Sequence, residues 1–199
     1  MGSQSLSLRA SRNKCRVSPD FFRTLVNVVL FQIGWFACVL SAAAGRPSLG
    51  AAVAVGIVIL HLIQAPMPRQ ELFLVLSALA IGAVWESLLV WLNLVAYEVG
   101  AIVRWTAPYW IILMWGLFAT ILNISLRWLR ERWLLQTLAG LVGGPLAFHG
   151  GHRLGALEFG NEPVALFVIG TGWAVLTPLL MALSVRFDGY GPLMAKRTS

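Results

Sequence analysis

Apolar residues run through this chain in long unbroken blocks, each closed by a short polar or Pro/Gly segment. The blocks at 24–45, 47–68, 105–126, 133–152 and 163–185 hold no Asp, Glu, Lys or Arg, and the block at 72–97 holds one acid, Glu86. A helix needs about 20 apolar residues to cross the hydrocarbon core. The pattern therefore predicts six transmembrane helices in an all-α polytopic membrane bundle over 21–187. Backbone polar groups in lipid must be bonded within helices or a closed barrel. Unbroken blocks rather than alternating ones exclude the barrel. The breaks at Gly45-Arg46-Pro47 and Pro66-Met67-Pro68-Arg69 are short, which makes the first three spans sequential antiparallel neighbours. Residues 1–20 read as a disordered basic tail, and 188–199 as a second tail.

Composition and charge sharpen this picture. Hydrophobic residues make up 58% of the 199, so no soluble domain is left once the spans are placed. The net charge of +7 does not point to nucleic acid, because its distribution alternates along the chain. Arg9, Arg12, Lys14, Arg16 and Arg23 precede span one, Arg69 follows span two, and Arg127, Arg130 and Arg132 follow span four. Arg186, Lys196 and Arg197 follow span six. The intervening loops hold only Arg46, Arg104 and Arg153. The positive-inside rule predicts both termini in the cytoplasm, with the basic segments against anionic headgroups. Cys15 and Cys38 fall in different compartments and read as free thiols. Span one ends Ser41-Ala42-Ala43-Ala44-Gly45, a small-residue pattern that fits signal cleavage, but its polar leader is long and its run is of full spanning length. A retained helix is expected.

Small residues mark helix contacts. Gly143, Ala147, Gly151 and Gly155 recur at four-residue spacing in span five, and Gly140 and Gly144 form a second pair. Such faces let helix backbones approach closely, so span five is expected inside the bundle or at a dimer seam. Pro145 and Pro178 predict kinks. Trp105, Trp110, Trp128 and Trp133 fall at span ends, as interfacial anchors do. Trp35, Trp85, Trp115 and Trp173 fall deeper, either as packing bulk or as the wall of a ligand pocket. A faint three-helix repeat aligns Gly82-x-x-Trp85 with Gly170-x-x-Trp173 and His61 with His149, as an inverted transporter repeat does.

Candidate chemistry is sparse. Glu86 lies past the midplane of its span, where an ionisable group costs about 2.5–3.5 kcal/mol on insertion scales and faces protein or a wet cavity. It reads as a proton carrier, a cation site or a counter-ion for a substrate amine, or as a carboxyl bonded to neighbouring polar or aromatic groups as packing glue. Ala78, Gly82, Asn93 and Tyr97 share its face at helical spacing. His61, Asn123, Trp85 and Trp115 join it as candidate substrate-binding residues, in a polar seam with Asn27 and Thr120. His149 and His152 are three apart, but two histidines without a third ligand make a weak metal motif. No P-loop, nucleophile elbow, zinc-protease helix or paired-Cys motif is present, so no catalytic site, metal or cofactor is expected.

Several strings together carry a family resemblance: Phe31-Gln32-x-Gly34-Trp35-Phe36-Ala37, His61, Glu71, Trp110, Trp115, Phe118-Ala119-Thr120, Asn123, Ser125-Leu126-x-Trp128, Gly143-Gly144-Pro145-Leu146 and Gly151-x-x-Leu154-Gly155-Ala156. The chain resembles a family of small bacterial integral membrane proteins catalogued only as a domain of unknown function. The resemblance covers roughly residues 25–185, with Glu86-Ser87 standing where the family has Asp-Ser. It implies about six helices and a bacterial cytoplasmic membrane, brings no established activity, and through gene neighbourhood points toward membrane lipid. Three function classes follow. The first is a small permease or lipid-handling protein with its site around Glu86. The second is a non-catalytic partner of a larger membrane complex, or a homo-oligomer. The third is an intramembrane lipid-modifying enzyme with His61, Glu86 or His149 as acid or base. Membrane lipid is the expected partner, and nucleic acid is not.

Overall fold

The structure is a computed structural model that describes residues 19–103, 105–191 and 193. The expected leader up to residue 18, with Cys15, and the distal basic residues Lys196 and Arg197 lie outside the described residues. Six α-helices follow in order: α1 Pro19–Ala43, α2 Pro47–Gln64, α3 Pro68–Trp91, α4 Tyr109–Leu122, α5 Trp133–Arg153 and α6 Glu162–Arg186. Proline opens α2 and α3, where its missing N–H is one that a helix start leaves unpaired anyway. Asn161 caps α6 by accepting from the Val164 amide at 3.3 Å. α1, α2, α3 and α6 are long and apolar enough to cross a membrane. α5 has the length, at 21 residues, but glycines, Gln136 and His149 dilute it.

α4 departs from the expected span at 105–126. It has 14 residues, or roughly 21 Å at 1.5 Å per residue, which is shorter than a hydrocarbon core. Pro108 delays its start, and Asn123 ends it in a run of turns and a 3₁₀ turn, Arg127–Leu129. Position explains why a short helix suffices. Trp110, Trp115, Leu117, Ala119, Thr120 and Leu122 are all buried, and α4 packs against α1, α2, α3 and α6. A helix wrapped by others has no need to match lipid thickness. The outward faces of its neighbours are apolar, as at Ile63, Val84 and Phe167, each more than 70% exposed on the isolated chain.

Two tight helix pairs frame α4. α1 and α2 cross at Gly50, where an added Cβ would collide with the Ala37 carbonyl and the Ser41 hydroxyl. The Gly50 amide donates to that hydroxyl at 3.1 Å. α5 and α6 form the other pair, and α5 makes little contact with anything else. The two halves therefore pack differently: α1 closes on α2, whereas α4 and α5 barely meet. That asymmetry does not follow from the faint three-helix repeat.

One connection was not legible in the residues. Val95–Ala96 (β1) pairs antiparallel with Glu158–Phe159 (β2), joining the α3–α4 loop to the α5–α6 loop. At the opposite end the chain does not leave the bundle after α6. Tyr190 is 2% exposed and its hydroxyl donates to the His61 carbonyl at 2.8 Å. The tail expected from residue 188 thus begins as part of the fold.

Candidate functional site

The helix pairs leave a groove between them. It encloses about 510 Å³, within the usual range for ligand pockets. Phe31, Gln32 and Trp35 of α1 form one wall, and Gly143, Ala147 and Gly151 of α5 form the facing wall. Trp110, Trp115 and Phe118 of α4 and Trp173 and Thr177 of α6 form the floor. Gln32, Gly143 and Leu146 line it and are exposed, so its mouth opens sideways between α1 and α5. From Ala139 to Gly151 it follows α5 for roughly 18 Å.

Glu86 stands on this floor, fully buried. The Trp115 indole Nε1 donates to Oε1 at 2.9 Å and the Tyr97 hydroxyl donates to Oε2 at 2.9 Å. Among the described residues no Lys, Arg or His forms an ion pair with it. A carboxylate offers about four acceptor positions, so two donors leave it unsaturated. Tyr97 was expected on the helix face of Glu86. It reaches the carboxyl by another route, because α3 ends at Trp91 and the chain turns back through Asn93, whose φ is 54°. Trp115 stacks on Trp173 with centroids 4.7 Å apart. Two further polar atoms in the groove residues have no partner: Trp173 Nε1 and Thr177 Oγ1 are buried and unbonded among the described residues. Leaving such groups unmet costs about 1–3 kcal/mol each.

Glycines seat these tryptophans. A Cβ at Gly82 would strike Trp115, one at Gly144 would strike Trp173, and one at Gly172 would strike Trp85. The deep tryptophans Trp115 and Trp173 are thus both packing bulk and pocket wall, while Trp85 only packs, against α6. Trp110, expected as an interfacial anchor, is 1% exposed, donates to the Val99 carbonyl at 3.1 Å and lines the groove.

The small-residue ladder needs correction. A Cβ at Gly143 would meet nothing within 4 Å, so this position makes no close helix contact. Gly143, Ala147 and Gly151 instead leave room for the groove. Gly155 is not in the helix at all. Its φ of +82° and the bonds Gly155 N to His152 O and Ala156 N to Gly151 O terminate α5 in a Schellman motif. The close α5–α6 approach runs through the other pair, Gly140 and Gly144, with Gly140 against the Trp173 carbonyl. Gly170 sits against the Leu141 carbonyl that Pro145 leaves without its helical donor.

His61 and Asn123 do not join Glu86. They meet a second acid, Glu71, which lies fully buried within α3, one helical stretch of roughly 22 Å away. His61 Nε2 lies 2.8 Å from Glu71 Oε2. Asn123 Nδ2 and the Gly189 amide both donate to Oε1. Arg130 donates to the Asn123 side-chain oxygen, and Arg127 and Arg130 together clamp Asp188 at 2.7–3.0 Å. Burial raises the Asp188 carboxyl, but hydrogen bonds from Arg127 and Arg130 outweigh it and hold the group below the ordinary carboxylate range. Burial, then the nearby Glu71 carboxylate, pushes the Tyr190 phenol up, so it remains a donor. This network ties α2, α3, α4 and the segment after α6 into one closed end. Asn27 extends it toward α1, donating to the Thr120 carbonyl at 3.2 Å. Asp188 gave no signal in the sequence, lying in what reads as a tail. His149 and His152 separate, His149 to Glu162 at 2.9 Å and His152 to the Leu157 carbonyl at 3.1 Å.

The fold and groove define a helical membrane protein with a side-opening apolar pocket and one acid on its floor. The chain matches, over residues 24–179, the family described as Protein of unknown function (DUF2878), and it belongs to that family. No curated protein and no solved structure matches it.

Proposed function

We propose that this protein binds a lipid or lipid-like amphiphile from the membrane, with the apolar chain in the groove and a polar group at Glu86. One observation carries the reading: the groove lining is mostly apolar, and on its floor Glu86 has spare acceptor capacity while the lining residue Trp173 has a buried Nε1 without a partner among the described residues. A sideways mouth suits a ligand arriving from the bilayer, since lipid is reached without crossing water. The setting we assign is a bacterial cytoplasmic membrane, which rests on the family resemblance, with six crossings from the apolar blocks and both termini inside from the distribution of basic residues.

Photocrosslinking tests it. A diazirine-bearing phospholipid is reconstituted with the purified protein, and crosslinked peptides are mapped. Labelling should concentrate on α1 and α5 at the mouth, and Ala147→Phe should reduce it by filling the groove. Glu86→Gln should fold normally, because its amide oxygen accepts from Trp115 and its N–H₂ reaches the Tyr97 oxygen, yet it should alter which headgroups are captured. Labelling spread evenly over the lipid-facing surfaces, unchanged by Ala147→Phe, would end this reading.

A further inference from the structure

A second cavity, of about 490 Å³, lies away from Glu86 between α1, α2, α4 and the segment after α6. It shares no lining residue with the groove. Most of its polar residues are committed. Asn27 bonds the Thr120 carbonyl and Ser125, His61 holds Glu71, and Tyr190 holds the His61 carbonyl. Arg23 is the exception: its Nη1 is buried without a hydrogen-bond partner among the described residues. Neither nearby acid serves it, since Glu71 is met by His61, Asn123 and Gly189, and Asp188 by Arg127 and Arg130. A buried guanidinium Nη1 left without an acceptor is matched to a phosphate oxygen, which the planar guanidinium can meet with more than one N–H. The cavity edge is apolar and open, with Phe22 63% and Leu60 40% exposed. Arg23 sits in the first turns of α1 and Gln64 ends α2, so both lie at the level of a headgroup layer.

We infer that this cavity binds an anionic phospholipid, its phosphate on Arg23 beside Gln64 and an acyl chain along Phe22 and Leu60. Committed acids and an uncommitted arginine set the charge preference, and the apolar edge selects a lipid over a free anion.

The test uses the full-length protein in detergent with an equal mixture of phosphatidylglycerol and phosphatidylcholine, and native mass spectrometry counts retained lipid. Wild type should retain phosphatidylglycerol selectively. Arg23→Gln should weaken that retention by about tenfold or more, as loss of a charge-assisted bond does. Arg23→Lys should keep part of it, and Gln64→Glu should lower it by repulsion without touching Arg23. Arg69→Gln removes the same charge from the same end of the bundle outside the cavity and should change nothing. Equal losses in Arg69→Gln and Arg23→Gln, or retention that ignores both Arg23→Gln and Gln64→Glu, would overturn the inference. Displacement of phosphatidylglycerol by an equal concentration of glycerol phosphate would overturn the lipid assignment in favour of a soluble phosphate. Because Ala147→Phe should leave the Arg23-dependent fraction intact, failure at either cavity is distinguishable from failure at the other.

Discussion

Gly140 and Gly143 lie three residues apart on one helix and should respond oppositely to the same methyl group. At Gly140 a Cβ falls on the Trp173 carbonyl carbon and oxygen and on Thr177 Oγ1. Two of those atoms are backbone, so α6 itself has to move. Overpacking of this kind costs about 1–3 kcal/mol, and the shift would also loosen the contact of Gly144 with Trp173. The gain in helix propensity from Gly to Ala, about 1 kcal/mol, offsets only part of it. At Gly143 the Cβ enters open space, so the propensity gain stands alone. The propensity gain is common to both, so the two variants should differ by the overpacking cost, about 1–3 kcal/mol. For a chain of this size that corresponds to roughly 2–12 °C in Tm. Size-exclusion chromatography of detergent-solubilised protein after stepwise heating measures the midpoint, and wild type should fall between Gly143→Ala and Gly140→Ala. If Gly143→Ala loses as much as Gly140→Ala, the open space beside α5 does not exist and the groove goes with it.

The closed end offers further tests. Asp188→Asn should cost about 2 kcal/mol at neutral pH through weaker bonds to Arg127 and Arg130. Because the native Asp188 pKa is depressed, its contribution is fully present above the unfolded carboxylate pKa and is lost as pH falls through the native one. Wild type should therefore lose Tm on acidification across that window, and Asp188→Asn should lose less; parallel pH profiles would refute the assignment. Glu71→Ala leaves the Asn123 amide and the Gly189 N–H without their acceptor, so it should destabilise by about 3 kcal/mol or more in the same heating assay, while Glu71→Gln, which restores one acceptor, should recover part of that. A periplasm-dependent reporter fused after Ser199 should stay silent, and strong activity would invert the orientation assigned from the basic residues.

How much of this could be read from residues alone depends on the range of the signal. Helices α1, α2, α3, α5 and α6 were legible because span length and charge exclusion are local properties, and their ends fall within a few residues of the polar breaks, except that α3 stops at Trp91, six residues before the expected end at Tyr97. The shortness of α4 was not, because 105–126 is uniformly apolar and only its burial on all sides lets it stop at Leu122. Glu86 was legible as an interior carboxyl; of the four candidates named with it, Trp115 bonds it, whereas His61 and Asn123 bond Glu71 and Trp85 Nε1 bonds neither. Glu71 looked like a residue at a span boundary. Its burial depends on Asn123 and Gly189, which are 52 and 118 positions away. The glycine faces show the same limit. Spacing reveals that α5 has two small-residue rows, but which row meets α6 is set by where Trp173 and Thr177 stand.

α4 organises both cavities, and it does so by being short and central. Trp115 and Phe118 on one face floor the groove, while Thr120, on another, borders the Arg23 cavity. Since the helix stops at Leu122, the depth below it has to be filled by something else, and the 3₁₀ turn and the segment Phe187–Tyr190 fill it. Those pieces carry carbonyls and amides that no helix satisfies, and lipid offers none in return. Asn123, Arg130, Glu71 and Asp188 are the residues that meet them. The buried ions at this end are thus the consequence of ending a central helix early, which accounts for them without a catalytic role. Glu86 and Arg23 have no such structural account: each is a charged-type side chain beside a cavity with bonding capacity unmet. That difference, rather than burial or acidity alone, separates the groups available to a ligand from the groups that hold the fold.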